Sequence, residues 1–346
     1  MTERIKASPN TNTPAGETVR SSLPSRLFSN VGEFSWIWIA TAGLFALSAI
    51  VAPGTVTIGS LLAMLPFAGI LAIAAAGQTV VIQQRGLDLS SPGIIGLAGI
   101  LFALVGAGTG SVLIAVAAAI AGGTLVGVAN GFLVARLGIT PLVATLSVNA
   151  LVIGGIRWRT GYVPISVPAE MQGIARDYIL GLPITVFFAL VFVGVIAVII
   201  RNTVVGRRFI AVGASPKAAE AAGVPVLSYQ IGSYVAAGVC FAVSGLLLAG
   251  FIGSASQTAG SDYLLTSIAA VAVGGTPFTG GRGSVIASAV AALFFAQLGQ
   301  MVLALGAGTA VQLLIQVCAI LGAAIIRHVP DIIRGLGVGQ ARKARQ

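Results

Sequence analysis

The chain has 346 residues, of which 57% are hydrophobic and only 8% are charged, and its mean hydropathy is +1.01. A soluble domain cannot remove so much apolar surface from water, so the composition excludes a soluble globular protein and indicates a protein that crosses a membrane repeatedly. The formal net charge of +10 does not indicate a nucleic-acid partner, because basic residues that flank membrane segments face anionic lipid headgroups.

The polar N-terminal region is followed by a long series of apolar segments. Residues 1–35 are rich in Ser, Thr, Pro and Asn and are predicted to form a disordered cytoplasmic tail. Ten segments of the length that a transmembrane helix needs come next. They occupy residues 36–52, 57–83, 89–107, 111–135, 141–158, 183–201, 227–252, 264–280, 284–304 and 309–327. The sequence therefore predicts an all-α transmembrane domain over 36–327 and a basic cytoplasmic tail over 328–346.

The Lys and Arg residues indicate the orientation of these segments. If the N-terminus is cytoplasmic and each segment crosses once, only Arg157, Arg159 and Arg176 of the 19 Lys and Arg residues lie outside. In the opposite orientation most of the Lys and Arg residues would lie outside. That would contradict the excess of positive charge that cytoplasmic loops normally carry. Both ends of the chain are therefore predicted to be cytoplasmic, with an even number of crossings.

Two connecting loops have patterns of their own. The outside loop at 159–182 is predicted to form a short surface helix with turns. In the inside loop at 201–226, Ser215 suits the N-cap of a helix, Pro216 suits its first position, and Gly223 ends it. This short, Ala-rich helix has two interpretations. It could insert into a groove on another protein, or it could be a solvated connector.

Glycine clusters where helices must approach each other or break. Gly123, Gly127 and Gly131 recur every four residues, a spacing typical of closely packed membrane helices. The sequence GGTPFTGG at 274–281 predicts a break in the eighth segment, and the third begins irregularly at QQRGLDLSSPG. Because five crossings separate these irregular segments, the two halves of the chain would have opposite orientations. This pattern favours an inverted repeat.

Ionisable groups are almost absent from the apolar segments. Arg85, Asp88 and Asp262 lie near segment ends, which argues against a proton-coupled or sodium-coupled carrier, and Asp88 is predicted to cap the third helix. The polar residues inside the segments are neutral, and each could bind an uncharged solute or join two helices. They are Gln78, Gln83, Asn130, Thr145, Ser147, Asn149, Ser244, Gln312 and Gln316. The candidates for a solute path are Gln78, Asn130, Thr145, Asn149 and Ser244.

No catalytic, metal-binding or nucleotide-binding motif is present in the sequence. Cys240 and Cys318 both lie inside apolar segments, where they suit helix packing. The sequence GGRGS at 280–284 lacks the GK[ST] ending of a Walker A loop. The chain is therefore predicted to be no enzyme and to bind no cofactor or metal, and any ATP that drives it is used on another chain.

Three stretches resemble the permease subunits of bacterial ABC importers of the ribose/xylose/arabinose/galactose type. They are GQTVVIQQRGLDLS at 77–90, the stretch 206–223, and the stretch 253–284, which ends in GGTPFTGGRGS. The residues that match the family motifs are Gly86, Asp88, Ser90, Gly260, Tyr263, Gly274, Gly275, Gly280, Gly281, Arg282 and Gly283. The sequence departs from the motifs at Arg85, which replaces a glycine, and at Thr266, which replaces an aspartate. The stretch GLDLS favours this sugar branch over the related branched-chain amino acid permeases.

The resemblance implies a fold like that of type II ABC importers and a location in the bacterial inner membrane. It also implies a dimer with a second copy or a paralogue, a separate ATPase that binds ATP and Mg²⁺, and a periplasmic solute-binding protein. That binding protein would dock on the loop 159–182 and the turn 253–263. The helix of the inside loop would be the coupling helix that inserts into the ATPase. Its residues are Ser215, Pro216, Lys217, Ala218, Glu220, Ala221, Ala222 and Gly223.

The predicted function is therefore that of a translocation subunit for a neutral monosaccharide or polyol. One alternative is a permease of the same build for another solute, such as a furanone-type signal, a nucleoside or an amino acid. The other alternative is a carrier or channel that works without ATP.

Overall fold

A computed structural model describes residues 34–308, 310–318 and 321–322 of the chain. The α-helices are α1 (Trp36–Val51), α2 (Ile58–Gln83), α3 (Ser91–Thr109), α4 (Val112–Gly131), α5 (Pro141–Thr160), α6 (Ala169–Arg176), α7 (Ile184–Asn202), α8 (Val204–Ala214), α9 (Pro216–Ala221), α10 (Val226–Ile252), α11 (Ser261–Val273) and α12 (Val285–Ala304). A 3₁₀ turn covers Pro53–Val56, a π-helical turn at Phe132–Arg136 continues α4, and residues 310–318 are also helical. The predicted tails lie outside the described residues, apart from residues 34 and 35.

Short strands are confined to the loops. They are β1 (Ile165–Ser166), β2 (Tyr178–Ile179), β3 (Leu182–Pro183) and β4 (Ser254–Ala255). β1 pairs antiparallel with β4, and β2 pairs antiparallel with β3. The loop at 159–182 holds α6 between these strands, so the short helix that the sequence predicted there is present.

Seven of the described helices are long and apolar enough to cross a membrane, namely α2, α3, α4 with its π-helical turn, α5, α7, α10 and α12. All seven match predicted segments, so the prediction of a helical membrane protein with many crossings is confirmed. α1 has 16 residues and α11 only 13, and the tenth predicted segment is only partly described. The count of ten crossings therefore stays a prediction.

The eighth predicted segment, 264–280, is wrong in its bounds. The helix there is α11, which ends at Val273 and is followed by a loop that runs to the N-cap of α12 at Ser284. Gly275, Gly280 and Gly281 have φ values of +98°, +79° and +73°, a backbone conformation that side chains with a Cβ rarely adopt. The break that the glycines predicted is therefore confirmed, and it shortens the helix.

α10 lies at the centre of the bundle and packs against α4 at the predicted glycines. A Cβ added to Gly238 of α10 would lie 2.3 Å from the carbonyl oxygen of Gly123. One added to Gly127 would lie 2.5 Å from the carbonyl oxygen of Tyr234, and one added to Gly131 would lie 2.9 Å from Ile231. These backbones approach so closely because at least one of the two helices has a glycine at each contact, as in other small-residue packing of membrane helices.

α3 and α11 both begin inside the bundle, and their first turns touch. Gly260 is the N-cap of α11, and a Cβ added to it would lie 2.6 Å from the carbonyl oxygen of Pro92 in α3. A Cβ added to Gly245 of α10 would lie 2.2 Å from the carbonyl oxygen of Ile95. Since Gly245 precedes the end of α10 at Ile252 by two helical turns, this contact lies about 10 Å inside that end.

The helix directions define two opposite ends of the bundle. The first, called the junction end, holds the C-termini of α2 and α8 and the loop 274–284. The second, called the cavity end, holds the C-terminus of α10 and the loop 159–182. Arg157, Arg159 and Arg176 are the described basic residues at the cavity end, whereas the other described Lys and Arg residues belong to segments at the junction end.

Candidate functional site

The three stretches that carry the family resemblance meet at the junction end. The backbone N–H of Gly281 donates to the carbonyl oxygen of Gln83 over 2.9 Å. The side-chain Nε2 of Gln84 donates to the carbonyl oxygen of Phe209 over 2.7 Å. A Cβ added to Gly213 would lie only 2.1 Å from the carbonyl oxygen of Gln83. Residues 83–86, 209–214 and 280–283 therefore form one packed unit, which we call the motif junction.

Arg85 ties the end of α2 to the end of α8. It has a φ of +63°, in the left-handed region where glycine is the usual residue, and its Nε donates to the carbonyl oxygen of Gly213 over 2.8 Å. Its Nη2 donates to the carbonyl oxygen of Ala214, the last residue of α8. The last carbonyls of a helix have no partner within the helix, so the guanidinium satisfies two of them. Gly280 leaves room for it, because a Cβ there would lie 2.4 Å from Cγ of Arg85.

α9 follows α8 directly and is the helix that the sequence predicted at the inside loop. Ser215 is its N-cap, and the hydroxyl accepts from the backbone N–H of Ala218 over 3.3 Å. Gly223, with a φ of +77°, follows the helix. Only Ala219 is buried, while Lys217, Ala218, Glu220, Ala221, Ala222 and Gly223 are exposed. α9 therefore has a rigid attachment at its base and a free outer surface.

α8 was not among the helices predicted for the loop 201–226, although the sequence contains a signal for it. Thr203 is its N-cap, and the hydroxyl accepts from the backbone N–H of Gly206 over 3.1 Å. The buried residues Gly206, Phe209, Val212 and Gly213 follow the spacing of one helix face. α8 supplies the backbone carbonyl oxygens to which the side chains of Gln84 and Arg85 donate.

Asp88 is fully buried between α2 and α3. Its Oδ1 accepts from the backbone N–H of Ser90 over 2.9 Å, from the Ser90 hydroxyl over 2.6 Å and from Nδ2 of Asn130 over 3.3 Å. Desolvation raises the pKa of the Asp88 carboxyl, and the hydrogen bonds from Ser90 and Asn130 lower it only in part. The prediction that Asp88 caps α3 is wrong, because Ser90 is the N-cap and Asp88 binds that residue instead.

Four of the five candidates for a solute path make hydrogen bonds within the bundle. Asn130 joins the Asp88 network, the Thr145 hydroxyl accepts from the backbone N–H of Leu89 over 3.0 Å, and Oδ1 of Asn149 accepts from that of Gly93 over 2.9 Å. These contacts support the irregular start of α3. Gln78 is fully buried, and Ser244 donates to the carbonyl oxygen of Ile70 over 3.1 Å. Neither amide atom of Gln78 has a hydrogen-bond partner among the described residues. The bonds of the other four support helix packing, which the sequence left open as an alternative, and a role in a solute path stays a prediction.

A cavity of about 690 Å³ opens at the other end of the bundle. α2, α10, α11, α12 and the helical residues 310–318 supply its wall, so the N-terminal turn of α11 faces it. Its polar lining residues are Thr258, Asp262, Tyr263, Thr266, Gln300, Gln312 and Gln316. Its aromatic lining residues are Phe67, Tyr263 and Phe295.

Two glutamines of the cavity have an oxygen without a hydrogen-bond partner among the described residues. Gln316 is only 5% exposed and its Oε1 is unpartnered. Nε2 of Gln300 donates to the carbonyl oxygen of Ser60 over 3.0 Å, whereas its Oε1 is unpartnered. The sequence identified Gln316 as a polar residue inside a segment but missed Gln300, because no local pattern distinguishes a cavity glutamine from a packing glutamine.

The comparison with known proteins establishes the family. Residues 60–324 match the family described as branched-chain amino acid transport system / permease component. The chain belongs to this family. The ribose import permease protein of Escherichia coli (strain K12) is 30% identical over 295 residues, which cover 83% of this chain and 91% of that protein. The autoinducer 2 import system permease protein of Yersinia pestis (strain Pestoides F) is 31% identical over 237 residues, which cover 66% and 71% of the two chains.

The family match and the fold agree with each other. The matched range contains six of the seven described helices that are long enough to cross a membrane, and all of α2 except its first two residues. The chain is therefore a permease subunit of an ABC importer and a multi-pass protein of the inner membrane. No solved structure matches the chain.

Proposed function

We propose that this permease forms the membrane path of an importer for a neutral monosaccharide or polyol. The observation that carries the proposal is the match to a ribose import permease over 91% of that protein's length. The cavity lining supports it, since amide, hydroxyl and carboxylate groups beside aromatic rings suit a polyhydroxylated solute. The described residues that line the cavity include no Lys or Arg that could bind the carboxylate of an amino acid. This disfavours the amino-acid alternative that the family description suggests.

The proposed orientation puts the junction end in the cytoplasm. The segregation of Arg157, Arg159 and Arg176 to the cavity end supports this, because the less basic side of a membrane protein is normally the outer one. With ten crossings, both termini are cytoplasmic. The contact between the first turns of α3 and α11 supports an inverted repeat of the kind expected for a type II ABC importer, since two broken helices that meet at membrane depth are typical of such repeats.

α9 is the proposed coupling helix. A separate ATPase subunit, which holds the ATP and Mg²⁺, would receive the exposed surface of Lys217, Ala218, Glu220, Ala221 and Ala222 in a groove. Closure of the ATPase would then push α9, and the motif junction would pass this movement to α2 and α8 as rigid bodies. A free solvated connector would not need the side-chain bonds that Arg85 and Gln84 make to α8.

The cavity end is the proposed docking face for a periplasmic solute-binding protein. Trp158 is 90% exposed there, and Arg157 donates to Oε1 of Gln257 over 2.9 Å, which holds the loop after α10 against α5. Exposed Trp and Arg side chains are frequent in the strongest contacts of protein interfaces. A second permease copy or paralogue would complete the path. Only 22% of the apolar window of α5 is buried within the chain, so apolar surface remains for lipid and for this second subunit.

Purification of the chain from its native membrane in mild detergent tests the proposal. We expect an ATPase with two nucleotide-binding domains and a periplasmic binding protein to co-purify. Thermal-shift measurements on that binding protein should show stabilisation by a sugar or polyol and none by branched-chain amino acids. Recovery of the chain alone, together with uptake into ATP-free liposomes, would instead establish a carrier or channel. Stabilisation by an amino acid only would refute the sugar assignment.

A further inference from the structure

We infer that the 690 Å³ cavity is a solute-binding site of the permease itself. In this site the Oε1 atoms of Gln300 and Gln316 select a solute that is rich in hydroxyl donors. The inference rests on the proposed function and deepens it, because it assigns solute selection to this subunit in addition to the binding protein. A volume of this size lies within the range of about 300–1,000 Å³ typical of small-molecule sites.

The unpartnered oxygens are the first line of evidence. An amide oxygen that is buried without a donor destabilises the folded state. The side chain of Gln316 is only 5% exposed, and its amide oxygen has no donor among the described residues. Gln300 is held by the bond from its Nε2 to Ser60, and its Oε1 is buried without a donor among the described residues. A small rotation of either side chain toward the cavity would let a solute hydroxyl supply the missing donor.

The charge of the cavity is the second line of evidence. Asp262 lies in the first turn of α11 and lines the cavity, and the described lining residues include no basic side chain. A carboxylate accepts hydrogen bonds from hydroxyl groups but repels another anion. The site therefore admits a neutral sugar or polyol and disfavours a sugar phosphate or a sugar acid.

The aromatic side chains are the third line of evidence. Phe67 is 41% exposed, and its ring contacts that of Phe251 edge-on with the centroids 5.1 Å apart, which restricts its orientation. Tyr263 lines the same cavity from α11. Apolar faces of this kind can cover the C–H surface of a sugar ring while the amide oxygens bind its hydroxyls.

Gln297 provides a matched control for the two cavity glutamines. It lies on α12 three residues before Gln300, is fully buried, and also has an unpartnered Oε1. Its Nε2 donates to the hydroxyl of Thr55 over 3.2 Å, and it does not line the cavity. Replacement of Gln297 by leucine therefore repeats the chemical change without altering the proposed site.

The test uses the purified importer, with its ATPase and binding protein, in proteoliposomes supplied with radiolabelled D-ribose, D-xylose or ribitol. For Gln316→Leu and Gln300→Leu we expect uptake per ATP hydrolysed to fall about fivefold to tenfold each, the effect of losing one hydrogen bond. ATP hydrolysis stimulated by the loaded binding protein should stay unchanged, and Gln297→Leu should transport like the wild type.

Three results would overturn the inference. Wild-type uptake by both cavity variants would show that the amides do not contact the solute. An equal fall for Gln297→Leu, or a parallel fall in ATP hydrolysis, would show that the amides only support packing. A wild-type complex that hydrolyses ATP but moves none of the three solutes would refute the proposed function as well, so the two failures are distinguishable.

Discussion

Arg85 and Gly213 are joined by a hydrogen bond of 2.8 Å from the guanidinium Nε to the backbone carbonyl oxygen. They are 128 residues apart in the sequence. The bond connects the end of α2 to the end of α8, from which α9 extends. α2 continues without interruption to Phe67 at the cavity, about 27 Å from Arg85 along the helix axis. The proposed movement of α9 would therefore reach the cavity wall through α2.

Removal of this bond should uncouple ATP hydrolysis from transport. We expect Arg85→Gly to lower uptake about tenfold while hydrolysis by the assembled importer continues, because the link between α2 and α8 is lost. A tenfold fall corresponds to a loss of about 1.4 kcal/mol in the coupling free energy between hydrolysis and transport. Glycine is the informative replacement, since it adopts the φ of +63° without strain. Arg208→Ala, at an exposed residue of α8, is the control and should transport normally. Equal loss of uptake and hydrolysis in Arg85→Gly would contradict a coupling role.

The outer surface of α9 should tolerate no reversal of charge. Glu220→Arg is expected to prevent co-purification of the ATPase and to abolish uptake, while insertion into the membrane stays normal. The reason is that Glu220 is exposed on the proposed groove-facing surface. Glu170→Arg makes the same change on α6 at the opposite end and should leave ATPase binding intact. Normal transport by Glu220→Arg would remove the coupling-helix assignment. Gly223→Arg should abolish uptake as well, although the φ of +77° adds backbone strain to its effect.

Replacement of Asp88 should lower the stability of the protein without changing which solute it transports. Asp88→Ala removes the acceptor of three hydrogen bonds and is expected to destabilise the protein by about 2 kcal/mol, measured as a lower thermal midpoint in detergent. Asp88→Asn keeps an oxygen for these donors and should be milder. A change of preferred solute in either variant would contradict the structural role.

The pH dependence of stability should follow from the raised pKa of Asp88. Because the folded pKa lies above the unfolded value of 3.8, the contribution of Asp88 to stability is full below 3.8 and is lost as the pH rises through the folded pKa. The thermal midpoint of the wild type should therefore decline over that window relative to that of Asp88→Asn. Identical pH profiles for the two proteins would show that the Asp88 carboxyl does not titrate in this way.

The contact between α4 and α10 should have no space for even one added methyl group. We expect Gly238→Ala to destabilise the protein by about 1–3 kcal/mol, because its Cβ would lie 2.3 Å from a backbone oxygen of Gly123. Gly232→Ala is the matched control on the same helix, where an added Cβ meets nothing within 4 Å. It should be neutral or slightly stabilising. Similar thermal midpoints for both variants would show that the helices can separate at little cost.

The sequence by itself determined the features that depend on neighbouring residues. The seven described helices that are long enough to cross a membrane follow from hydropathy alone, since each must bury apolar side chains in lipid and satisfy its backbone internally. α9 follows from a cap at Ser215 and a stop at Gly223, and the end of α11 follows from the glycines after Val273. The family motifs also identified residues that meet at the motif junction.

Only the tertiary structure decided which distant residues meet. The contact of Gly260 with Pro92 and the bond from Arg85 to Gly213 join residues that are more than a hundred positions apart. Gln297, Gln300 and Gln316 look alike in the sequence, yet two of them line the cavity and one binds Thr55. The physical reason is that hydropathy, propensity and capping act within a few residues, whereas the contacts of a polar side chain depend on how whole helices pack.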